Sequence, residues 1–169
     1  MKFFFKVNAN QNIGGGHLQR CINLARVLKD KNKIYFLLTN TSNSIARRLK
    51  KEFKIINFRN NKEILIEAKK IFKERKDCFL IIDDYSIKYR WEKLISNYIY
   101  KTMVICDDLS KEHYCDLYLN QNILDIRSNV KKYKENYLLG PKYALLDKNY
   151  SKLSKKKVSK SNKLKNIII

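Results

Sequence analysis

Three consecutive glycines, Gly14, Gly15 and Gly16, precede His17 in a chain that has four glycines in all. Glycine lets the backbone approach a bound molecule closely, and a helix that begins here directs free N–H groups towards an anion. A plain tight turn is the alternative interpretation. The spacing differs from the G-x-G-x-x-G pattern of dinucleotide-binding loops, because position 19 is Gln19. We expect these three glycines to form a loop that contacts a substrate.

His17 falls in the first turn of the helix predicted after the glycines. The positive end of a helix dipole opposes the imidazolium form, so His17 is expected to be neutral at physiological pH. Neutral imidazole is the form that a general base requires. A histidine that only caps the helix is the alternative. The position of His17 thus predicts either a catalytic base or a capping residue.

The elements that position these residues alternate along the chain. Short apolar runs predict strands, and apolar residues three or four positions apart predict helices near residues 17–28, 45–49, 64–72 and 91–98. The runs at 78–82 and 102–106 are followed by the carboxylates of Asp83, Asp84, Asp107 and Asp108. The other predicted strands are 3–7, 34–38, 54–58, 116–119 and 137–139. This alternation predicts an α/β protein with a Rossmann-like, doubly wound parallel sheet, in which ligands bind outside the carboxyl ends of the strands.

The net charge of +21 is the feature of the composition that needs interpretation. Such a charge often indicates nucleic-acid binding, but only 8 of the 37 basic residues are arginines, the residue best suited to phosphate and base contacts. We interpret the charge as a solvated lysine coat and expect no nucleic-acid partner. No apolar run is long enough for a membrane span or a signal peptide, so a cytoplasmic protein without membrane insertion is expected.

The four cysteines form no C-x-x-C pair and are predicted to be reduced thiols. Cys106, Asp107, His113 and Cys115 lie close together in the sequence, but their spacing matches no common structural zinc site. We therefore predict no metal and no cofactor.

The predicted domain organisation has three parts. Residues 1–150 form the Rossmann-like domain, residues 151–166 form a basic linker rich in serine, lysine and asparagine, and residues 167–169 are three isoleucines typical of the start of a strand. We expect the chain to be the first half of a two-domain protein, with a C-terminal domain as its partner.

Four segments, in the same order, resemble a known family. Residues 14–20 resemble its G-x-G-H-x-x-R motif, residues 81–85 its strand ending in D-x-Y, residues 115–122 its C-D-x-x-L-N-x-N segment, and residues 140–146 its G-x-x-Y-A-L-L segment. The family comprises the UDP-2,4-diacetamido-2,4,6-trideoxy-β-L-altropyranose hydrolases of pseudaminic acid biosynthesis, which are related to GT-B glycosyltransferases.

The resemblance implies a GT-B architecture with the active site between two Rossmann-like domains. It implies that His17 activates a water, which attacks the anomeric carbon so that UDP leaves with inversion. Tyr85 would face the sugar, and Asn120 and Asn122 would donate amide hydrogen bonds to it. Packing, for Tyr85, and a turn, for the two asparagines, are the alternatives.

The chain departs from the family after the first strand, where Lys6 and Asn8 replace an arginine and an acidic residue. The family binds the uridine diphosphate mainly through its second domain. A GT-B glycosyltransferase is the alternative enzyme, and a basic nucleic-acid-binding module is the alternative from another class. UDP release without an acceptor distinguishes the hydrolase from the transferase.

Overall fold

Seven parallel strands form the centre of the structure, a computed structural model that describes residues 1–8, 15–123 and 136–153. The strands are β1 (Lys2–Val7), β2 (Lys33–Thr39), β3 (Lys54–Phe58), β4 (Cys78–Asp83), β5 (Lys101–Ile105), β6 (Leu117–Asn120) and β7 (Tyr137–Leu139). Their order across the sheet is β3-β2-β1-β4-β5-β6-β7. The predicted α/β class with a Rossmann-like, doubly wound parallel sheet is confirmed.

Helices cover both faces of this sheet. They are α1 (Gly16–Leu28), α2 (Asn43–Lys50), α3 (Asn61–Ile66), α4 (Ala68–Ile71), α5 (Tyr89–Ile95) and α6 (Lys148–Leu153). Among the described residues, no helix has the length and apolar character needed to cross a bilayer.

Two apolar cores lie on opposite sides of the sheet because successive strand residues point to opposite faces. Phe5 of β1 packs in the core that α1 and α2 cover. Phe4, its neighbour, packs in the core that α3, α4 and α5 cover. Aromatic stacking crosses the strands on both faces, with ring centroids 5.1 Å apart for Phe5 and Phe36 and 4.8 Å apart for Phe4 and Tyr35. Burial on both faces explains why these strands are almost continuously apolar.

The winding of the sheet reverses between β1 and β4. The chain moves from β1 through β2 to β3 at one edge, and then returns past β1 to form β4 on its other side. In open α/β sheets a crevice for ligands forms at this reversal, outside the carboxyl ends of the strands. Val7 and Asp83 are paired in register, so β1 and β4 end side by side. The loop from β1 to α1 begins at the same place.

Two local predictions need correction. The helix predicted at 64–72 is two short helices, α3 and α4, because the chain turns at Glu67. Helix α6 continues to Leu153, so the predicted linker from 151 begins with helix. Residues 154–169, with the rest of the linker and the three isoleucines, lie outside the described residues.

Lys6 is a fully buried cation at the end of β1. Its Nζ donates to Asp84 Oδ2 at 2.7 Å and to Thr39 Oγ1 at 3.1 Å, so it joins the ends of β1, β4 and β2. Burial lowers the pKa of Lys6 despite the attraction of Asp84, whereas Lys6 and Ser86 lower the pKa of Asp84 despite burial. The lowered pKa of Lys6 favours a neutral lysine, whereas the lowered pKa of Asp84 favours an ionised carboxylate. The short contact and the further bonds from Ser86 to Asp84 support the ionised pair.

Removal of one partner from this pair is expected to be costly. Asp84→Ala leaves a buried lysine without its counter-charge and should lower the free energy of unfolding by about 3–5 kcal/mol. Lys6→Met combined with Asp84→Ala should recover part of this loss. Urea unfolding measures both, with Lys101→Ala as the control, because the Lys101–Asp116 pair is exposed and screened by solvent and should contribute little to stability. Equal losses for Asp84→Ala and Lys101→Ala would contradict the prediction.

Candidate active site

His17 and Asp83 form the centre of the candidate site. His17 is the second residue of α1, and Asp83 is the last residue of β4, so the loop after β1 brings them together across the sheet reversal. His17 Nδ1 lies 2.5 Å from Asp83 Oδ1. The Asp83 side chain is fully buried, whereas 15% of the His17 side chain is exposed. The histidine therefore has one nitrogen bound to a buried carboxylate and one edge directed outward.

Arg20 lies one helical turn after His17 and holds two carboxylates. Its Nε donates to Asp83 Oδ2 at 2.6 Å and its Nη2 to Asp83 Oδ1 at 2.7 Å. Its Nη1 donates to both oxygens of Asp107, at 2.9 and 3.0 Å. Burial on its own would lower the pKa of Arg20, but Asp83 and Asp107 outweigh burial and raise it. Arg20 is thus a permanent cation whose donors are directed at protein carboxylates.

Tyr85 forms the exposed side of this cluster. Its ring meets the His17 imidazole edge-on, with centroids 4.7 Å apart. Its hydroxyl donates to Asp107 Oδ2 at 2.6 Å. Burial and the Asp107 carboxylate raise the pKa of Tyr85 to about 12, so the hydroxyl keeps its proton. The structure therefore brings together His17 and Tyr85, two of the predicted site residues. The His17 side chain is 15% exposed, and Tyr85 is 38% exposed.

This arrangement suits His17 to accept a proton. The Nδ1 proton is donated to Asp83, because a carboxylate bound to Arg20 is an acceptor only. Nε2 then carries the free lone pair, and no described residue donates a hydrogen bond to it. After proton transfer, Asp83 would stabilise the imidazolium, as the carboxylate does in a serine-protease triad. The geometry fits a general base, and the capping interpretation of His17 is not needed to explain its contacts.

The glycine loop has open space around its described part. Gly14 lies outside the described residues. Gly15 has a φ of −59°, and a Cβ placed on Gly15 or Gly16 would meet nothing within 4 Å. Neither the backbone conformation nor the packing therefore requires glycine at these two positions. Gly140 differs, because its φ of +95° lies in the region that favours glycine.

The two predicted asparagines lie apart from His17. Asn120 ends β6 and is fully buried, and its Oδ1 accepts the backbone N–H of Asn122 at 3.0 Å. No hydrogen bond or ring contact of the described residues joins either asparagine to His17, Tyr85 or Arg20. These contacts correspond to the turn-forming alternative. Their contact with a ligand stays a prediction.

The segment that carries Asp107 is anchored by Glu92 of α5, a fully buried carboxylate. Glu92 accepts from His113 Nδ1 and from the backbone N–H of Tyr114, both at 2.7 Å. Burial on its own would lower the pKa of His113, but the Cys106 and Glu92 side chains outweigh burial and raise it to about 9. The cationic His113 therefore ties the chain after β5 to the helix before it.

The sequence analysis did not assign roles to Asp83, Asp107 or Arg20. A signal was present, since two buried strands each end in carboxylates and the carboxyl ends of parallel strands share one edge of the sheet. The missing information was the strand order, which places β4 and β5 next to each other beside α1. Lys6, noted as a departure, proves to be a buried partner of Asp84.

Two curated proteins are similar to this chain in sequence. An uncharacterized protein of Methanocaldococcus jannaschii is 29% identical over 179 residues, which covers 100% of this chain and 36% of that protein. The UDP-2,4-diacetamido-2,4,6-trideoxy-beta-L-altropyranose hydrolase of Campylobacter jejuni is 30% identical over 122 residues, which covers 72% of this chain and 42% of that protein. The chain thus spans 36% and 42% of the lengths of these relatives. No protein-family model matches the chain.

The fold resembles a solved structure, the crystal structure of Acinetobacter baumannii MurG. The TM-score is 0.56 at 11% sequence identity, over 83% of this chain and 44% of that chain. At this identity the likeness establishes the fold alone. It agrees with the predicted Rossmann-like α/β fold.

The open space at the glycine loop predicts how substitutions affect stability. Gly16→Ala should leave the free energy of unfolding unchanged or raise it by up to about 1 kcal/mol, because alanine favours helix over glycine. Gly140→Ala, the matched control, should lower it by about 1–3 kcal/mol through backbone strain. Urea or thermal unfolding measures both. A clear loss of stability in Gly16→Ala would show that packing does require this glycine.

Proposed function

We propose that this chain is the N-terminal, base-bearing half of a UDP-sugar hydrolase that releases UDP from a diacetamido-trideoxy hexose, as in pseudaminic acid biosynthesis. The contact between His17 and Asp83 carries the proposal, because it leaves Nε2 as a free base at the carboxyl edge of the sheet. The similarity to the C. jejuni hydrolase supports the substrate class.

In the proposed reaction, His17 Nε2 takes a proton from a water molecule. The water oxygen forms a bond to the anomeric carbon, the bond from that carbon to the phosphate oxygen breaks, and UDP leaves with the electron pair. Asp83 stabilises the imidazolium, and Arg20 holds the Asp83 carboxylate in place with two hydrogen bonds. The imidazolium then returns its proton to solvent. A nucleoside diphosphate is a good leaving group, so a single base can suffice.

The diphosphate must be bound by other groups. The donors of Arg20 point at Asp83 and Asp107, and Lys6 is buried against Asp84. A second domain would provide the diphosphate site, and the cleft between the two domains would hold the sugar beside His17 and Tyr85. Gly15 and Gly16 would allow the ligand to approach the start of α1.

A GT-B glycosyltransferase remains the second candidate, because the same base could deprotonate an acceptor hydroxyl instead of water. The fold likeness to MurG is compatible with both. Incubation of the intact two-domain protein with the UDP-sugar and no acceptor separates the two functions. UDP release at a catalytic rate supports the hydrolase, whereas release only after an acceptor is added supports the transferase.

The role of His17 predicts a large kinetic effect. His17→Asn in the intact protein should lower the rate of UDP release by about 10²–10⁴, the usual contribution of a general base. Asn32→Ala is the control, because Asn32 bonds the Leu28 carbonyl at the other end of α1 and has no described contact with the site. A coupled UDP assay measures both, and thermal unfolding checks the fold. Near-normal turnover by His17→Asn would remove His17 from the mechanism.

The open space at the glycine loop predicts that a substitution there affects substrate binding more than stability. Gly16→Val places a branched side chain in space that no described residue occupies, so it should weaken substrate binding more than it lowers stability. Titration of the intact protein with the UDP-sugar, beside thermal unfolding, measures the two effects. Gly15→Ala gives a smaller intrusion as comparison. Equal effects on binding and stability would favour the plain-turn interpretation of this loop.

A further inference from the structure

Asp107 is the carboxylate that links Arg20 to Tyr85. It follows β5 and accepts from Arg20 Nη1 at 2.9 and 3.0 Å and from the Tyr85 hydroxyl at 2.6 Å. Burial on its own would raise the pKa of Asp107, but Arg20 and Tyr85 outweigh burial and lower it. Asp107 is therefore ionised, and an ionised carboxylate only accepts hydrogen bonds.

The contact with Asp107 determines the direction of the Tyr85 hydroxyl. A phenol has one proton, and here that proton points at Asp107 Oδ2. The phenol oxygen keeps its lone pairs for any other partner. Because the ring is partly exposed beside His17, these lone pairs are available at the surface of the candidate site.

The imidazole of His17, next to Tyr85, also presents a hydrogen-bond acceptor to the site. His17 donates from Nδ1 to Asp83, which leaves the lone pair of Nε2. Among the described residues, three cations at this edge of the sheet have carboxylate partners: Arg20 binds Asp83 and Asp107, Lys6 binds Asp84, and Lys111, 5.0 Å from the centre of the Tyr85 ring, binds Asp108 at 3.3 Å.

We propose that Asp107 is a positioning residue that fixes the Tyr85 hydroxyl as a hydrogen-bond acceptor, so that the wall formed by Tyr85 and His17 binds O–H and N–H donors of a ligand and not its phosphates. On a diacetamido sugar these donors are hydroxyl groups and the N–H groups of the acetamido substituents. The sugar as the ligand rests on the proposed function, whereas the orientation of the Tyr85 hydroxyl by Asp107 does not.

Tyrosine titration tests the positioning role without any substrate. In the 169-residue chain with ¹³Cζ-labelled tyrosine, Tyr85→Phe assigns the signal of Tyr85. At pH 11 a tyrosine with a pKa of about 12 is about one tenth ionised, and one with a pKa near its usual 10 is about nine tenths ionised. Asp107→Asn removes the part of this shift that Asp107 causes, while burial keeps the rest, so it should raise the ionised fraction of Tyr85 at pH 11 clearly above one tenth.

Asp116→Asn is the matched control for this titration. It removes the same charge, but Asp116 binds Lys101 and Thr102 and has no contact with Tyr85. Circular dichroism at pH 11 confirms that each variant is folded. Equal ionisation of Tyr85 in the wild type and in folded Asp107→Asn would overturn the proposal. If Tyr85 stays mostly protonated at pH 11 in Asp107→Glu, the result would support the proposal, because glutamate retains the acceptor.

Inorganic pyrophosphate tests the exclusion of phosphates. Added to the chain with both tyrosine and histidine rings labelled, it should leave the ring signals of His17 and Tyr85 without saturable shifts. Saturable shifts of both signals in the wild type, with loss of the His17 shift in Tyr85→Phe, would overturn the proposal, because the wall would then bind an anion directly.

The intact protein tests the donor preference of the ligand. An analogue of the UDP-sugar in which fluorine replaces the hydroxyl of the sugar ring keeps an acceptor but lacks the donor. Its KM should be more than 10-fold higher than that of the UDP-sugar in the wild type. The difference should be much smaller in Tyr85→Phe, which lacks the tyrosine hydroxyl that would accept from the sugar. Equal loss in both proteins would overturn the ligand contact.

The two proposals fail separately in these experiments. A shifted Tyr85 titration without UDP release would support the role of Asp107 and refute the hydrolase. UDP release with an unshifted titration would support the hydrolase and refute the role of Asp107.

Discussion

The buried carboxylate of Asp83 is the group on which the candidate site depends. It is fully buried, and a buried carboxylate is costly unless cations and hydrogen bonds compensate for the loss of water. Arg20 supplies two of these bonds and His17 supplies a third. Both residues come from the first turn and a half of α1, so the same contacts that satisfy Asp83 also fix α1 against the end of β4. The site and the packing of this helix are therefore one arrangement.

In the proposed function, this arrangement would supply one part of the site of a nucleotide-sugar enzyme. The His17 cluster presents a candidate base and acceptors, while its arginine is occupied by carboxylates. A diphosphate is bound by free cations or by the N–H groups of a helix N-terminus, and here the start of α1 is present but Arg20 is not free. A second domain that supplies cations for the diphosphate is therefore part of the proposal. The chain also spans only 36% and 42% of the relatives it matches.

Support for the function comes from different sources with different reach. The likeness to MurG concerns the fold, since sequence identity is 11%. The similarity to the C. jejuni hydrolase concerns sequence over 72% of this chain and 42% of that protein. The His17–Asp83 contact concerns chemistry and is independent of both. All three are compatible with the hydrolase proposal, and the acceptor experiment addresses the choice between hydrolase and transferase, which none of them tests.

The sequence by itself determined the strands and the main helices, and it predicted a catalytic role for His17. Apolar runs and helical periodicity are local properties, so β3 and β7 were predicted at the same boundaries that the structure has. The contacts of Arg20 depend instead on residues 63 and 87 positions away. Only the order of β1, β4 and β5 in the sheet brings Asp83 and Asp107 to one helix. The strand order also decided that Lys6 is buried and that Asn120 is buried in a turn contact. Burial at the end of a strand depends on the neighbouring strands.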